Sequence, residues 1–172
     1  VGLVDGVVVT GGEPTLQDDL IPFLRRVQER DLDVKLDTNG YRPDVLAALL
    51  DEGLVDYVAM DVKAPADKYP LLTGRTDLDV ARLERSIALL QNSDIPHEFR
   101  TTVVPGLLDE ADVEEIARWL AGAERYVLQQ FRPLGTLDPA LEAVTPYPLE
   151  KLHAMAERAS RWVVQATVRG GG

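Results

Sequence analysis

The chain has 172 residues, one domain's worth at roughly 100–150 residues per domain, and its 45% hydrophobic and 27% charged residues supply a core and exclude wholesale disorder. A net charge of −11, with basic residues scattered among acids, argues against a nucleic-acid partner, and no apolar run approaches the roughly 18 residues of a membrane span, so a cytoplasmic protein is expected. With no cysteine, the chain itself offers no disulfide, thiolate metal site, cysteine nucleophile or iron–sulfur ligation, and two histidines cannot build a multi-histidine metal site.

The first β-rich run is Val7–Thr10, leaving through Gly11-Gly12-Glu13-Pro14. A helical stripe of Leu20, Phe23, Leu24 and Val27 follows. The second run, Val34–Thr38, ends in Asp37-Thr38-Asn39-Gly40, and a short helix marked by Val45, Leu46, Leu49 and Leu50 has Pro43 in its first turn. The third, Tyr57–Val62, carries Asp61-Val62-Lys63 and precedes a longer helix through Leu83, Ile87 and Leu90. The fourth, Phe99–Val104, holds Arg100-Thr101-Thr102. Its helix of Val113, Ile116, Ala117 and Leu120 opens on Asp109 and Asp112, the pattern of a capped start.

The fifth run, Tyr126–Phe131, exits through Gln129-Gln130-Phe131-Arg132-Pro133. A last helix of Leu152, Met155, Ala156 and Ala159, with Pro148 in its first turn, leads to the sixth run, Trp162–Val168. Residues 1–169 are expected to form the domain and 170–172 a flexible tail. Strands alternating with helices over short connections imply parallel strands and right-handed crossovers. The class is α/β, either an open doubly wound sheet or a partial barrel.

Polar residues gather at the C-terminal ends of the strands, the edge where ligands sit in parallel α/β folds. Alternation puts Asp37 with Asn39, Asp61 with Lys63, Arg100 with Thr102 and Gln130 with Arg132 on shared faces. Burying such charges costs several kcal/mol per ion unless they are paired or bind something. A polar-rimmed pocket for a multiply charged small molecule follows.

Each motif also has a plainer reading. Asn39-Gly40 is ordinary turn chemistry, Asp61 and Lys63 can simply pair, and Gly11-Gly12 can relieve crowding at a strand exit. Glu13 is held extended before Pro14, which is harder to dismiss. His97 at a strand entrance, His153 on a helix surface, Trp119 and Trp162 read as structural.

Val8-Val9-Thr10-Gly11-Gly12-Glu13-Pro14-Thr15-Leu16-Gln17 resembles the Gly-Gly-Glu-Pro segment of radical S-adenosylmethionine (SAM) enzymes. Lys35-Leu36-Asp37-Thr38-Asn39-Gly40 and Met60-Asp61-Val62-Lys63-Ala64-Pro65 follow at the spacing of the glycyl-radical-enzyme activases. Tyr69-Pro70-Leu71-Leu72-Thr73-Gly74 and Arg100-Thr101-Thr102-Val103-Val104-Pro105-Gly106 look most like the activating proteins of anaerobic ribonucleoside-triphosphate reductase.

The resemblance implies a partial (β/α)6 barrel with its N-terminal βα unit missing. The family's Cys-x3-Cys-x2-Cys loop, which ligates a [4Fe–4S] cluster, has no counterpart here. It also implies that Gly11, Gly12 and Glu13, ahead of Pro14, hold the SAM ammonium, with Asp37, Thr38 and Asn39 beside the ligand. Asp61 and Lys63 would take its amino-acid and ribose portions, with Arg100 and Thr102 next to them. Arg132 stands where some pyruvate formate-lyase activases carry a SAM-contacting histidine. The intact protein would take electrons from a donor, cleave SAM to a 5′-deoxyadenosyl radical and abstract hydrogen from a glycine of the reductase. This chain alone would be inactive.

Alternatives stay open. One is a pyruvate formate-lyase activase or a 7-carboxy-7-deazaguanine synthase. Another is a Mg²⁺ enzyme using Glu13, Asp37 and Asp61 with Lys63 as base. A third is a cluster-free module that binds SAM or docks a protein.

Overall fold

The computed structural model describes residues 4–136 and 138–170. In chain order the strands and helices are β1 (Gly6–Val9), α1 (Leu20–Gln28), β2 (Asp33–Thr38), α2 (Pro43–Asp51), β3 (Tyr57–Asp61), α3 (Tyr69–Thr73), α4 (Val80–Gln91), β4 (His97–Val103), α5 (Glu110–Trp119), β5 (Arg125–Gln130), α6 (Leu149–Ala159) and β6 (Gln165–Arg169). The chain divides into two compact units, Val1–Asp61 with Asp79–Glu98, and Val62–Leu78 with Phe99–Gly172.

In the first unit β2 lies between β1 and β3, all parallel, with Val7 opposite Val34 and Thr38 opposite Met60. The strands form because β-branched and apolar residues fill one face: Val34, Leu36, Val58 and Met60 are fully buried. Leu20, Leu24 and Val27 of α1, Leu46 and Leu49 of α2, and Leu83, Ile87 and Leu90 of α4 complete that core. Phe23, expected on the α1 stripe, is instead 41% exposed. Its position lies at the margin of the helix face that Leu20, Leu24 and Val27 define.

In the second unit β5 lies between β4 and β6, again all parallel, with Phe99 opposite Tyr126 and Val127 opposite Thr167. Its core is Phe99, Val103, Ile116, Leu120, Tyr126, Leu128, Leu152, Met155 and Ala159. α5 starts on a complete capping box. The Asp109 carboxylate accepts from the Asp112 N–H, and the Asp112 carboxylate accepts from the Asp109 N–H. The backbone N–H groups of Asp112 and Ala111, both donating to the Asp109 carboxylate, hold it below its ordinary value.

Several expectations shift in detail. β6 begins at Gln165, because Trp162 closes a turn instead: its N–H reaches Ala159 and its carbonyl accepts from Gly122. Trp162 is 39% exposed, with the Arg118 guanidinium 5.0 Å from its ring centroid. Pro148 sits just ahead of α6 rather than inside its first turn, where its fixed φ suits the extended entry. His97 is buried at the first residue of β4, its ring Nδ1 2.9 Å from the Ile95 carbonyl, and His153 is exposed. Of the expected tail, Gly170 is described, whereas Gly171 and Gly172 lie outside the described residues. Among the described residues no helix is long and apolar enough to cross a membrane.

Candidate functional site

In the first unit the exits of β1 and β2 are tied together by one carboxylate. Glu13 has extended backbone (φ −139°, ψ 106°), as the following proline requires, and Pro14 opens a single 3₁₀ turn that carries Thr15. Glu13 Oε1 accepts from the Thr15 N–H (3.1 Å), the Thr15 hydroxyl (2.6 Å) and the Thr38 hydroxyl (2.8 Å). Oε2 accepts from the Asn39 N–H at 2.6 Å. Hydrogen bonds to an ionised carboxylate are about twice as strong as neutral ones, so Glu13 is held rigidly.

Asn39 and Gly40 shape the turn that presents this N–H. The Asn39 side chain accepts from the Tyr41 N–H, an Asx turn, and the Gly40 N–H donates to the Thr38 hydroxyl. Gly40 has φ +72°, and a Cβ there would fall 2.1 Å from the buried Met60 Cε, so two independent demands select glycine. From α4, the fully buried Ser86 hydroxyl donates to the Gly40 carbonyl at 2.6 Å. Thr15 and Ser86 are not marked out in the sequence. An isolated hydroxyl leaves no periodic signal.

Gly11 and Gly12 have φ +92° and +37°, and a Cβ on either would meet no atom within 4 Å. Their backbone borders open space, in a cleft of about 350 Å³ lined also by Glu13, Gln17, Leu20 and Phe23. That volume is within the range of small-molecule sites.

Thr38 and Asp37 divide between the two faces of β2. Thr38 belongs to the buried face, and its hydroxyl is committed to Glu13. Asp37 lies on the half-exposed face with Lys35, whose ammonium is 3.4 Å away. Asp61, at the last position of β3, is half-buried.

In the second unit Lys63 is exposed, one residue beyond a buried Val62. Arg100 is buried on β4, and Thr102, on the same face, is exposed. The register of β4 and β5 decides which β5 side chains join that face. Thr102 lies opposite Gln129 and Val103 opposite Gln130, so Gln129 shares the face of Arg100 and Thr102. The Gln130 amide instead donates to the Tyr147 carbonyl, and Arg132 lies beyond the strand, exposed.

Two tests of chemistry follow. Open glycine backbone, a fixed carboxylate whose Oε2 accepts from the Asn39 N–H, and an adjoining cleft suit an organic cation such as the ammonium of SAM. A [4Fe–4S] cluster does not fit this chain, which has no cysteine to hold it. Nor do Glu13, Asp37 and Asp61 converge as Mg²⁺ donors: among the described residues no three acidic or imidazole side chains form a metal-binding group.

The sequence pattern of the radical SAM superfamily matches residues 1–120. The chain belongs to the radical SAM superfamily. It is 36% identical over 170 residues to a Methanocaldococcus jannaschii protein named for glycyl-radical enzyme activation, an alignment covering 96% of this chain and 70% of that protein. It is 35% identical over 157 residues to the 7-carboxy-7-deazaguanine synthase of Geobacter sulfurreducens, covering 91% of this chain and 58% of that enzyme. A crystallised domain of the pyruvate formate-lyase-activating enzyme of Bacteroides vulgatus superposes with a TM-score of 0.71 at 18% identity. It covers 96% of this chain and 99% of that domain, and shows the fold: six parallel strands in an α/β partial barrel of the radical SAM type.

Proposed function

We propose that this chain is the SAM-binding portion of a radical SAM activase whose target is anaerobic ribonucleoside-triphosphate reductase. The observation that carries the SAM reading is the Glu13 carboxylate, immobilised by Thr15, Thr38 and Asn39 beside two glycines that border open space. In this reading Gly11, Gly12 and Glu13 receive the ammonium, Asp37 and Asn39 flank the ligand, and Thr38 holds Glu13 in position. Asp61 and Lys63 take the amino-acid and ribose portions, with Arg100, Thr102 and Arg132 as the remaining polar contacts.

SAM, when bound next to a cluster, supplies the hydrogen-abstracting power. This chain's residues supply orientation and exclusion of water. The cluster's ligands are not in this chain, so the chain alone is inactive. A glycyl radical enzyme as partner is supported by the M. jannaschii relative. The reductase in particular is supported by Asp61-Val62-Lys63-Ala64-Pro65, the later Thr73-Gly74 and the Arg100–Gly106 segment.

The test is equilibrium binding of this chain to anaerobic ribonucleoside-triphosphate reductase and, separately, to pyruvate formate-lyase. Saturable binding to the reductase is expected. Binding to pyruvate formate-lyase and not to the reductase overturns the assignment of target. A second reading, a 7-carboxy-7-deazaguanine synthase, is favoured by the G. sulfurreducens relative, and would be supported if the chain bound neither glycyl radical enzyme.

A further inference from the structure

Lys63 follows the last residue of β3 by two positions, where the strand's own ladder has ended, yet its backbone is firmly held. The Val62 N–H still reaches the Arg100 carbonyl at 2.8 Å. The peptide joining Val62 to Lys63 is then clamped at both its polar atoms by side chains. Its carbonyl accepts from the Thr101 hydroxyl at 2.6 Å, and its N–H donates to the Tyr69 phenol oxygen at 2.9 Å.

Each clamp is itself supported. The Tyr126 hydroxyl donates to Thr101 Oγ1 at 2.9 Å, and both side chains are fully buried. The Tyr69 ring stands edge-on to Trp119 at 6.2 Å, and the neighbouring Lys68 ammonium lies 2.5 Å from the Asp112 carboxylate. A buried peptide group must find a partner in backbone, side chain or water, and here both partners are side-chain hydroxyls. Two buried hydroxyls fixing one peptide plane constrain the backbone torsions on either side of it, and so the direction in which the Lys63 side chain leaves.

We infer that Thr101, backed by Tyr126, and Tyr69 are positioning residues for Lys63, setting its ammonium toward the anionic group of the bound small molecule. The inference rests on the assignment of Lys63 to SAM. None of the three side chains needs to touch the ligand. Burial keeps the Tyr126 phenol protonated, as the donor role requires, by pushing its pKa well above the usual range.

The test is a double-mutant cycle on SAM affinity, measured by calorimetry on this chain, with thermal unfolding confirming that each variant is folded. Lys63→Ala, Thr101→Val and Tyr69→Phe are each expected to weaken SAM binding about 10-fold, the scale of one hydrogen bond. Thr101→Ser, which keeps the hydroxyl, should stay within about 2-fold of the parent. In the Lys63→Ala background, Thr101→Val and Tyr69→Phe should add no more than about 2-fold. A full additional loss there, or no loss in the parent, overturns the inference.

Amide hydrogen exchange separates this from the SAM reading. The Lys63 N–H should exchange about 10-fold faster in Tyr69→Phe and Thr101→Val without any ligand. Unchanged exchange defeats the clamp even if SAM binds. Absence of SAM binding by the parent chain defeats the assignment of Lys63 and leaves the clamp to the exchange result.

Discussion

Replacing Thr38 with valine removes a hydroxyl while nearly preserving the side chain's shape. Thr38 is 3% exposed, and its hydroxyl donates to Glu13 Oε1 at 2.8 Å while accepting from the Gly40 N–H at 3.1 Å. The bond to the carboxylate is worth about 1.5–3 kcal/mol, and leaving the Gly40 N–H without its acceptor costs about 1 kcal/mol more. Allowing for a more apolar side chain in a buried site, Thr38→Val should destabilise the fold by about 2–4 kcal/mol.

At about 3 °C per kcal/mol for a chain of this size, that is a fall in Tm of roughly 6–12 °C. Thr38→Ser, which keeps both hydrogen bonds and loses one methyl group, should cost only about 1 kcal/mol. Urea unfolding followed by far-UV circular dichroism, beside a thermal melt, measures both variants. If Thr38→Val proves as stable as Thr38→Ser, the Thr38 hydroxyl does not hold Glu13, and the rigid carboxylate falls with it.

Two further outcomes follow from groups in the second unit. Burial raises the Tyr126 phenol above its unfolded value, so its contribution is fully present below about pH 10 and is lost as the pH climbs past that point. Between about pH 10 and 12, wild-type stability should fall more steeply than that of Tyr126→Phe, by up to about 1.4 kcal/mol per pH unit, and parallel curves would contradict this. Asp109→Ala removes the N-cap of α5 and half of its capping box, for an expected loss of about 1 kcal/mol by urea unfolding at pH 7. Because the Asp109 pKa is lowered by the backbone N–H of Asp112, that difference should shrink as the pH drops below about 4; a constant difference would refute the cap.

Much of this fold is legible in the sequence because a parallel α/β chain writes its two periods in alternation. The run Val34–Thr38 and the stripe of Val113, Ile116 and Ala117 are each read directly, and the strands then appear within three residues of their expected starts. α3 escapes because five residues cannot display a helical stripe. The face that Gln130 takes relative to Arg100 is not legible either, for a different reason. Alternation gives two faces, but only the pairing of Thr102 with Gln129 says which parity of β5 joins Arg100.

The site divides in the same way. Gly11, Gly12, Glu13 and Asn39 announce themselves as clustered turn residues at strand exits. Thr15, Ser86, Thr101 and Tyr126 do not, since each is a single hydroxyl whose partner is fixed only by the tertiary fold.

Calorimetric titration of this chain with SAM tests the central claim most directly. The account predicts saturable one-to-one binding, weakened about 10-fold or more by Glu13→Gln and by Lys63→Ala, each removing one charged partner of the ligand. Titration curves with no saturable binding, or binding that neither substitution alters, would contradict it.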